Sequence, residues 1–217
     1  MKTLKLSLLA AAIAALSAPA LAYEQGDVIV RLGPAVVAPD SSSSMPGLGD
    51  VVEVEDGVGF GISGTYMVSD TIGVEILGAL PFEHALEGTG ALSGVDIGST
   101  LHLPPTFLVN IYPGSIGRVQ PYVGAGLNYT VFFNEDTSPE LDAVLGGQTS
   151  LELTSSKGLA LELGFDVSLD DNMTVSASVW SMDIDTTARV SVNGNAAANI
   201  DVEIDPTVYM LGIGMKF

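Results

Sequence analysis

Apolar and polar side chains alternate with a period of two along most of this chain. The alternation is plainest at its end. In residues 206–217, Tyr209, Leu211, Ile213, Met215 and Phe217 form one face, and Val208, Met210, Gly212, Gly214 and Lys216 form the other. Successive side chains of a strand point to opposite sides, so this pattern predicts a strand between two different surroundings. The terminal Phe217 suits a membrane interface, where an aromatic ring and a carboxylate can both be accommodated. Seven earlier segments alternate in the same way, at 27–35, 58–68, 71–80, 106–112, 122–133, 158–169 and 173–187. In the sixth, Leu159, Leu161, Leu163, Phe165, Val167 and Leu169 oppose Ala160, Glu162, Gly164, Asp166 and Ser168.

The connections between these segments also alternate. Those at 69–70, 113–118 and 170–172 are short, while 40–56, 83–101, 134–156 and 188–205 are long. An even number of strands, short turns at one end and long loops at the other predict an all-β fold: an eight-stranded antiparallel transmembrane β-barrel with long extracellular loops and short periplasmic turns. So many outward Leu and Val side chains need lipid as their solvent. Residues 1–22 read as a signal peptide, with Lys2 and Lys5 before an apolar run and Ala20-Leu21-Ala22 as the cleavage site. The barrel then occupies 23–217. After residue 22 no stretch approaches the roughly 20 apolar residues of a spanning helix.

The 217 residues contain no cysteine and carry a net charge of −19. The missing thiols exclude disulfides and thiolate chemistry, and a chain this acidic repels nucleic acid. Much of the acid falls in the expected loops, at Asp50, Glu53, Glu55 and Asp56, then Glu135, Asp136, Glu140 and Asp142. It keeps exposed loops soluble, or bridges to lipopolysaccharide through divalent cations.

Four stretches resemble the outer membrane protein W (OmpW) family: residues 72–75 through Pro81-Phe82 and then His102-Leu103-Pro104-Pro105-Thr106; residues 121–130; residues 178–187; and the ending from Asp205-Pro206 to Phe217. The loops are more acidic here and lack the family's usual basic residues. The resemblance implies a location in the cell outer membrane of a Gram-negative bacterium and a narrow apolar lumen. It also implies passage of small hydrophobic molecules, with relatives that admit alkanes. Leu77 and Trp180, on inward faces, match positions that narrow the floor of the family's pocket. Leu108 and Met210 share the inward parity and are candidates for the same ligand channel.

Arg31, Glu75, Glu162 and Asp166 also point inward, and a buried charge needs partners, so an ion-paired plug is expected below the pocket. Lys216 is a further candidate. Pro104 and Pro105 have no N–H to give a neighbouring strand, and Pro81 ends the third segment nearby. Either the prolines only end a strand at the rim, or they mark an opening between the third and fourth strands, through which a ligand escapes sideways; the opening is the expectation carried forward. Phe217 is expected to be the signal that the barrel-insertion machinery reads. Leu161 should face lipid, so an Arg there is costly, whereas Ala160 or Gly164 should accept a small polar residue cheaply.

Three motifs point elsewhere and are set aside. Residues 59–64, GFGISG, match a dinucleotide-binding G-x-G-x-x-G, but a strand rather than a phosphate-binding helix follows. His84 and His102 are the two histidines, and no nucleophile motif accompanies them, so no enzyme is expected. Asp183 and Asp185 resemble part of a calcium loop without its glycine, and fit better as the start of an exposed β extension turned back at Asn193-Gly194. No cofactor and no metal are expected. The expected partners are outer-membrane lipid, lipopolysaccharide and small hydrophobic ligands. The leading reading is a passive channel for such ligands; the alternative is a structural or adhesive barrel with a packed lumen.

Overall fold

The computed structural model describes residues 23–217, so the expected signal peptide lies outside the described residues. The strands in chain order are β1 (Val28–Ala38), β2 (Ser42–Ser44), β3 (Val52–Val54), β4 (Gly57–Ser69), β5 (Ile72–Ala79), β6 (Phe82–Gly88), β7 (Asp96–Leu103), β8 (Thr106–Ile111), β9 (Val119–Thr137), β10 (Thr149–Leu153), β11 (Ser156–Ser168), β12 (Met173–Met182), β13 (Asp185–Val192), β14 (Asn195–Glu203) and β15 (Thr207–Lys216). A short helix, α1 (Pro139–Leu145), precedes β10.

Eight of these strands close a barrel in the order β1-β4-β5-β8-β9-β11-β12-β15, and β15 returns to β1. Every pairing is antiparallel, and the ring is closed, as a structure immersed in lipid requires. The last strand seals the ring by mutual bonds between Val28 and Phe217. The alternating residues divide as the pattern demands. Leu127, Leu159, Leu161, Leu163 and Leu211 are each at least 60% exposed on the outer surface, while Arg31, Glu75, Asp166 and Trp180 are fully buried inside.

The four long connections are themselves folded. Beyond the barrel, β9 continues upward to pair with β7, which pairs with β6 and then β3. A second sheet, β10-β13-β14-β2, faces it. Its hairpin turns at Asn193 and Gly194, both at positive φ (51° and 77°), as a tight two-residue turn requires. Helix α1 is set by local signals: the Ser138 side chain accepts from the Leu141 N–H, Pro139 opens the first turn, and Gly146 closes the helix at φ 75°.

The seventh segment, expected as one piece over 173–187, is two strands in different sheets. Pro206 on the partner strand has no N–H, so the β12–β15 ladder ends at Ser181↔Thr207. Asp205 then turns at φ 37°, and its carboxylate accepts from the Ile184 N–H, which redirects the chain into β13. A second expectation also fails. Gly164 is not a permissive inward site, because a Cβ there would lie 2.4 Å from the Tyr122 ring.

Candidate functional site

The lower barrel is filled by a polar plug built on Arg31. Its Nη2 donates to Asp166 Oδ2 at 2.6 Å and its Nε to Oδ1 at 3.0 Å, while Nη1 reaches Thr65 Oγ1 at 2.8 Å and Glu75 Oε2 at 3.3 Å. The guanidinium carbon lies 4.7 Å from the centroid of the Tyr122 ring. Asn110 Nδ2 donates to Glu75 Oε2 and to Glu162 Oε2, which ties the third carboxylate into the network. Tyr23 closes it from below, with its hydroxyl 2.6 Å from Asp166. Lys216, by contrast, bonds Asp27 near the turn end of the barrel and takes no part. An interior so occupied leaves no aqueous pore.

Above the plug the lining becomes apolar. A lower chamber of about 20 Å³ is bounded by Leu77, Phe82, Pro104, Trp180, Met182 and Met210. Trp180 is fully buried, and its indole N–H has no partner among the described residues. An upper chamber of about 180 Å³ lies between the two extension sheets, among Val52, Leu86, Ile97, Phe132, Leu141 and Ile200. His102 lines both chambers. It stacks on His84 with ring centroids 4.7 Å apart and planes 13° from parallel. Burial pushes the His102 imidazole down to about 3, and the adjacent His84 adds to this. Burial also lowers His84.

Two of the three glycines of the motif GFGISG, Gly59 and Gly61, have a spatial explanation. Gly57, Gly59 and Gly61 lie on the inward row of β4, and a Cβ on each would collide with His84, Phe82 and Met210 respectively. Missing side chains on one strand make room for the chamber lining on others.

The hydrogen-bonded wall is interrupted beside the lower chamber. The β5–β8 ladder ends at Leu77↔Thr106, and pairing resumes between Phe82 and His102 of β6 and β7. Gly78 and Ala79 bond only to β4 on their other side. Pro104 and Pro105 stand opposite, with the Pro104 carbonyl taken up by Thr106 and Asn128 side chains. Pro81 is exposed at the same break.

The predicted inward residues are thus all buried, and they sort by height. Leu77, Trp180 and Met210 line the lower chamber. Leu108 is buried one register step below Thr106 and packs beneath it rather than in the lining. Arg31, Glu75, Glu162 and Asp166 meet in one network. Phe217 is 72% exposed at the closing strand's end. The sequence reading missed the upper chamber and the stacking of His84 on His102. The alternation of Phe82, His84 and Leu86 against Glu83, Ala85 and Glu87 is the signal that places these residues on one face. At the surface, Asp183, Asp185 and Asp205 bring carboxylate oxygens within 4.8 Å of one another.

Comparisons with known proteins agree with this architecture. The OmpW family profile matches residues 24–217. Outer membrane protein W of Vibrio cholerae is 43% identical over 212 residues, covering 95% of this chain and 96% of that protein. The protein of the same name from Escherichia coli K12 is 38% identical over 98% of this chain and 99% of its own length. The crystal structure of the outer membrane protein OprG from Pseudomonas aeruginosa superimposes with a TM-score of 0.83 at 39% identity, over 92% of this chain and 99% of that one. The closed eight-stranded barrel, its apolar outer band and these matches place the chain in the bacterial outer membrane, as a member of the OmpW family.

Proposed function

We propose that this barrel is a passive, non-catalytic conduit for small uncharged apolar molecules, which enter through the upper chamber and leave sideways into the bilayer. The observation that carries the reading is the position of the wall break. The apolar lining ends on a charged plug, and just above that dead end the β5–β8 ladder stops at Leu77↔Thr106. Passing the plug into the periplasm would return the ligand to water, at about 25 cal/mol per Å² of apolar surface. Leaving through the wall keeps it in an apolar medium. The lower chamber is small, and Met182 and Met210, with flexible thioether chains, are the residues that move to admit a ligand.

Uptake of a hydrophobic dye by cells with and without the protein tests the reading. Faster uptake with the protein is expected, and equal uptake would leave a barrel whose lumen is merely packed. Lipopolysaccharide and membrane lipid surround the apolar band in this reading, and Phe217 serves the insertion machinery. Deleting Phe217 should lower membrane-inserted protein far more than it lowers the stability of refolded protein. Unchanged membrane levels would remove that role.

A further inference from the structure

The polar groups of the two chambers are few, and the hydroxyls among them are spent on the protein itself. Thr186 donates to the Thr154 carbonyl, and Thr100 to that of Leu101. The imidazoles differ. His84 Nδ1 lies 2.6 Å from the Glu55 carbonyl oxygen. A carbonyl only accepts, so Nδ1 carries the hydrogen and Nε2 is a bare acceptor. That Nε2 is buried and has no partner among the described residues. The ring of His102 has no protein hydrogen-bond partner among the described residues, although the residue is only 4% exposed. Its surroundings are the His84 face at 4.7 Å, the Phe82 ring at 5.7 Å and the Phe132 ring at 6.1 Å. A phenyl group would fill such an aromatic stack without leaving ring nitrogens unbonded to the protein. The nitrogens therefore gain nothing for the fold.

We propose that His102, backed by His84, is a hydrogen-bonding station at the junction of the chambers that favours uncharged apolar molecules bearing one hydroxyl group, alcohols or phenols, over the corresponding hydrocarbons. A neutral imidazole offers one N–H and one lone pair, the complement of a hydroxyl, which both gives and accepts. The place is also right. His102 borders both chambers, so every ligand that passes between them meets its edge. Anionic relatives such as carboxylates are disfavoured earlier, by exposed Glu53, Glu83 and Glu87 on the outer faces of β3 and β6. Hydrocarbons still pass, but they leave the station unsatisfied.

This inference rests on the conduit reading, and its test separates the two. Untagged protein in lipid nanodiscs is titrated with 1-octanol and with octane, compared at equal mole fraction in the bilayer so that partitioning cancels. Fluorescence of Trp180, the one tryptophan, reports binding, and ¹⁵N shifts of the two histidine rings report the contact. Octanol should bind about five- to tenfold more tightly than octane, the worth of roughly one hydrogen bond, and should shift the His102 nitrogens. His102→Phe should bring the ratio close to one, and His102→Gln, which retains a donor and an acceptor, should preserve the preference. If His102→Phe does not fold, the wild-type ratio and ring shifts decide. Octane and octanol binding alike, with unmoved histidine signals, would overturn the station and leave the conduit standing. Binding of neither would overturn the conduit and the station with it.

Discussion

The lower and upper halves of the molecule put opposite chemistry on the same alternating positions. In the membrane half, Leu127, Leu161 and Ile76 face out, while Arg31, Glu75 and Asp166 face in. In the extension, Val52, Leu86, Ile200 and Val202 face in, while Glu53, Glu87, Asp201 and Glu203 face out. Strand β9 runs through both. Its inward residues change from Gln120, Tyr122 and Asn128 below to Phe132 above. A two-residue period fixes which side chains share a face and leaves open which face is dry; the surrounding solvent decides that. Lipid around the lower half lets charge collect inside, and water around the upper half drives apolar groups inward. The conduit lies where the two interiors meet.

The largest expected effect comes from breaking the lower interior. Arg31→Met leaves two buried carboxylates, Glu75 and Asp166, without their cation and should destabilise the barrel by about 3–5 kcal/mol, measured by urea titration in lipid vesicles. An unchanged midpoint would mean that the plug does not hold the lower barrel. Next is the outer face. Leu161→Arg should cost roughly 2–4 kcal/mol, and Ala160→Ser, on the inward face, much less. Equal costs would mean that the two faces do not differ in solvent.

The smallest effect should be confined to the extension. His84 and His102 are held neutral by burial, and His102 titrates in the folded state at about 3, below its unfolded value. The unfolded chain therefore binds more protons between pH 6.5 and about 3, and the extension loses stability as pH falls through that window. Their charged neighbours are few; Asp56 favours a charged His84 and reduces the loss. Hydrogen exchange of β6 and β7 amides at pH 7 and pH 5, corrected for intrinsic rates, should show weakened protection there and little change in β11 and β12. Uniform loss across both halves would join the halves into one cooperative unit.

The same contrast explains what could be read from the sequence. The lower strands were legible because long runs such as 158–169 alternate without interruption, and because inward parity alone places Trp180, Leu77 and the charges. Of the extension only the β13–β14 hairpin was legible, from Asp185 and the Asn193-Gly194 turn; the rest was not, because its strands are short and its outward acids resemble loop composition. Ser138-Pro139-Glu140 with Gly146 was a helix signal that lay unread inside an expected loop. Gly164 was misjudged because parity states which way a position faces and says nothing of the Tyr122 ring lying across it. The His84–His102 stack depends on a hairpin pairing, Phe82↔His102, that only the folded chain reveals.

The wall break is the central claim, and it can be closed. Extending the register from Leu77↔Thr106 places Ala79 opposite Pro104, and both border the lower chamber. The chain has no cysteine of its own, so Ala79→Cys with Pro104→Cys gives one disulfide across the gap. Uptake of a hydrophobic dye by cells carrying this double variant should fall to the level of cells lacking the protein when the bridge is oxidised, and recover on reduction. Uptake that continues with the bridge demonstrably formed would contradict lateral release.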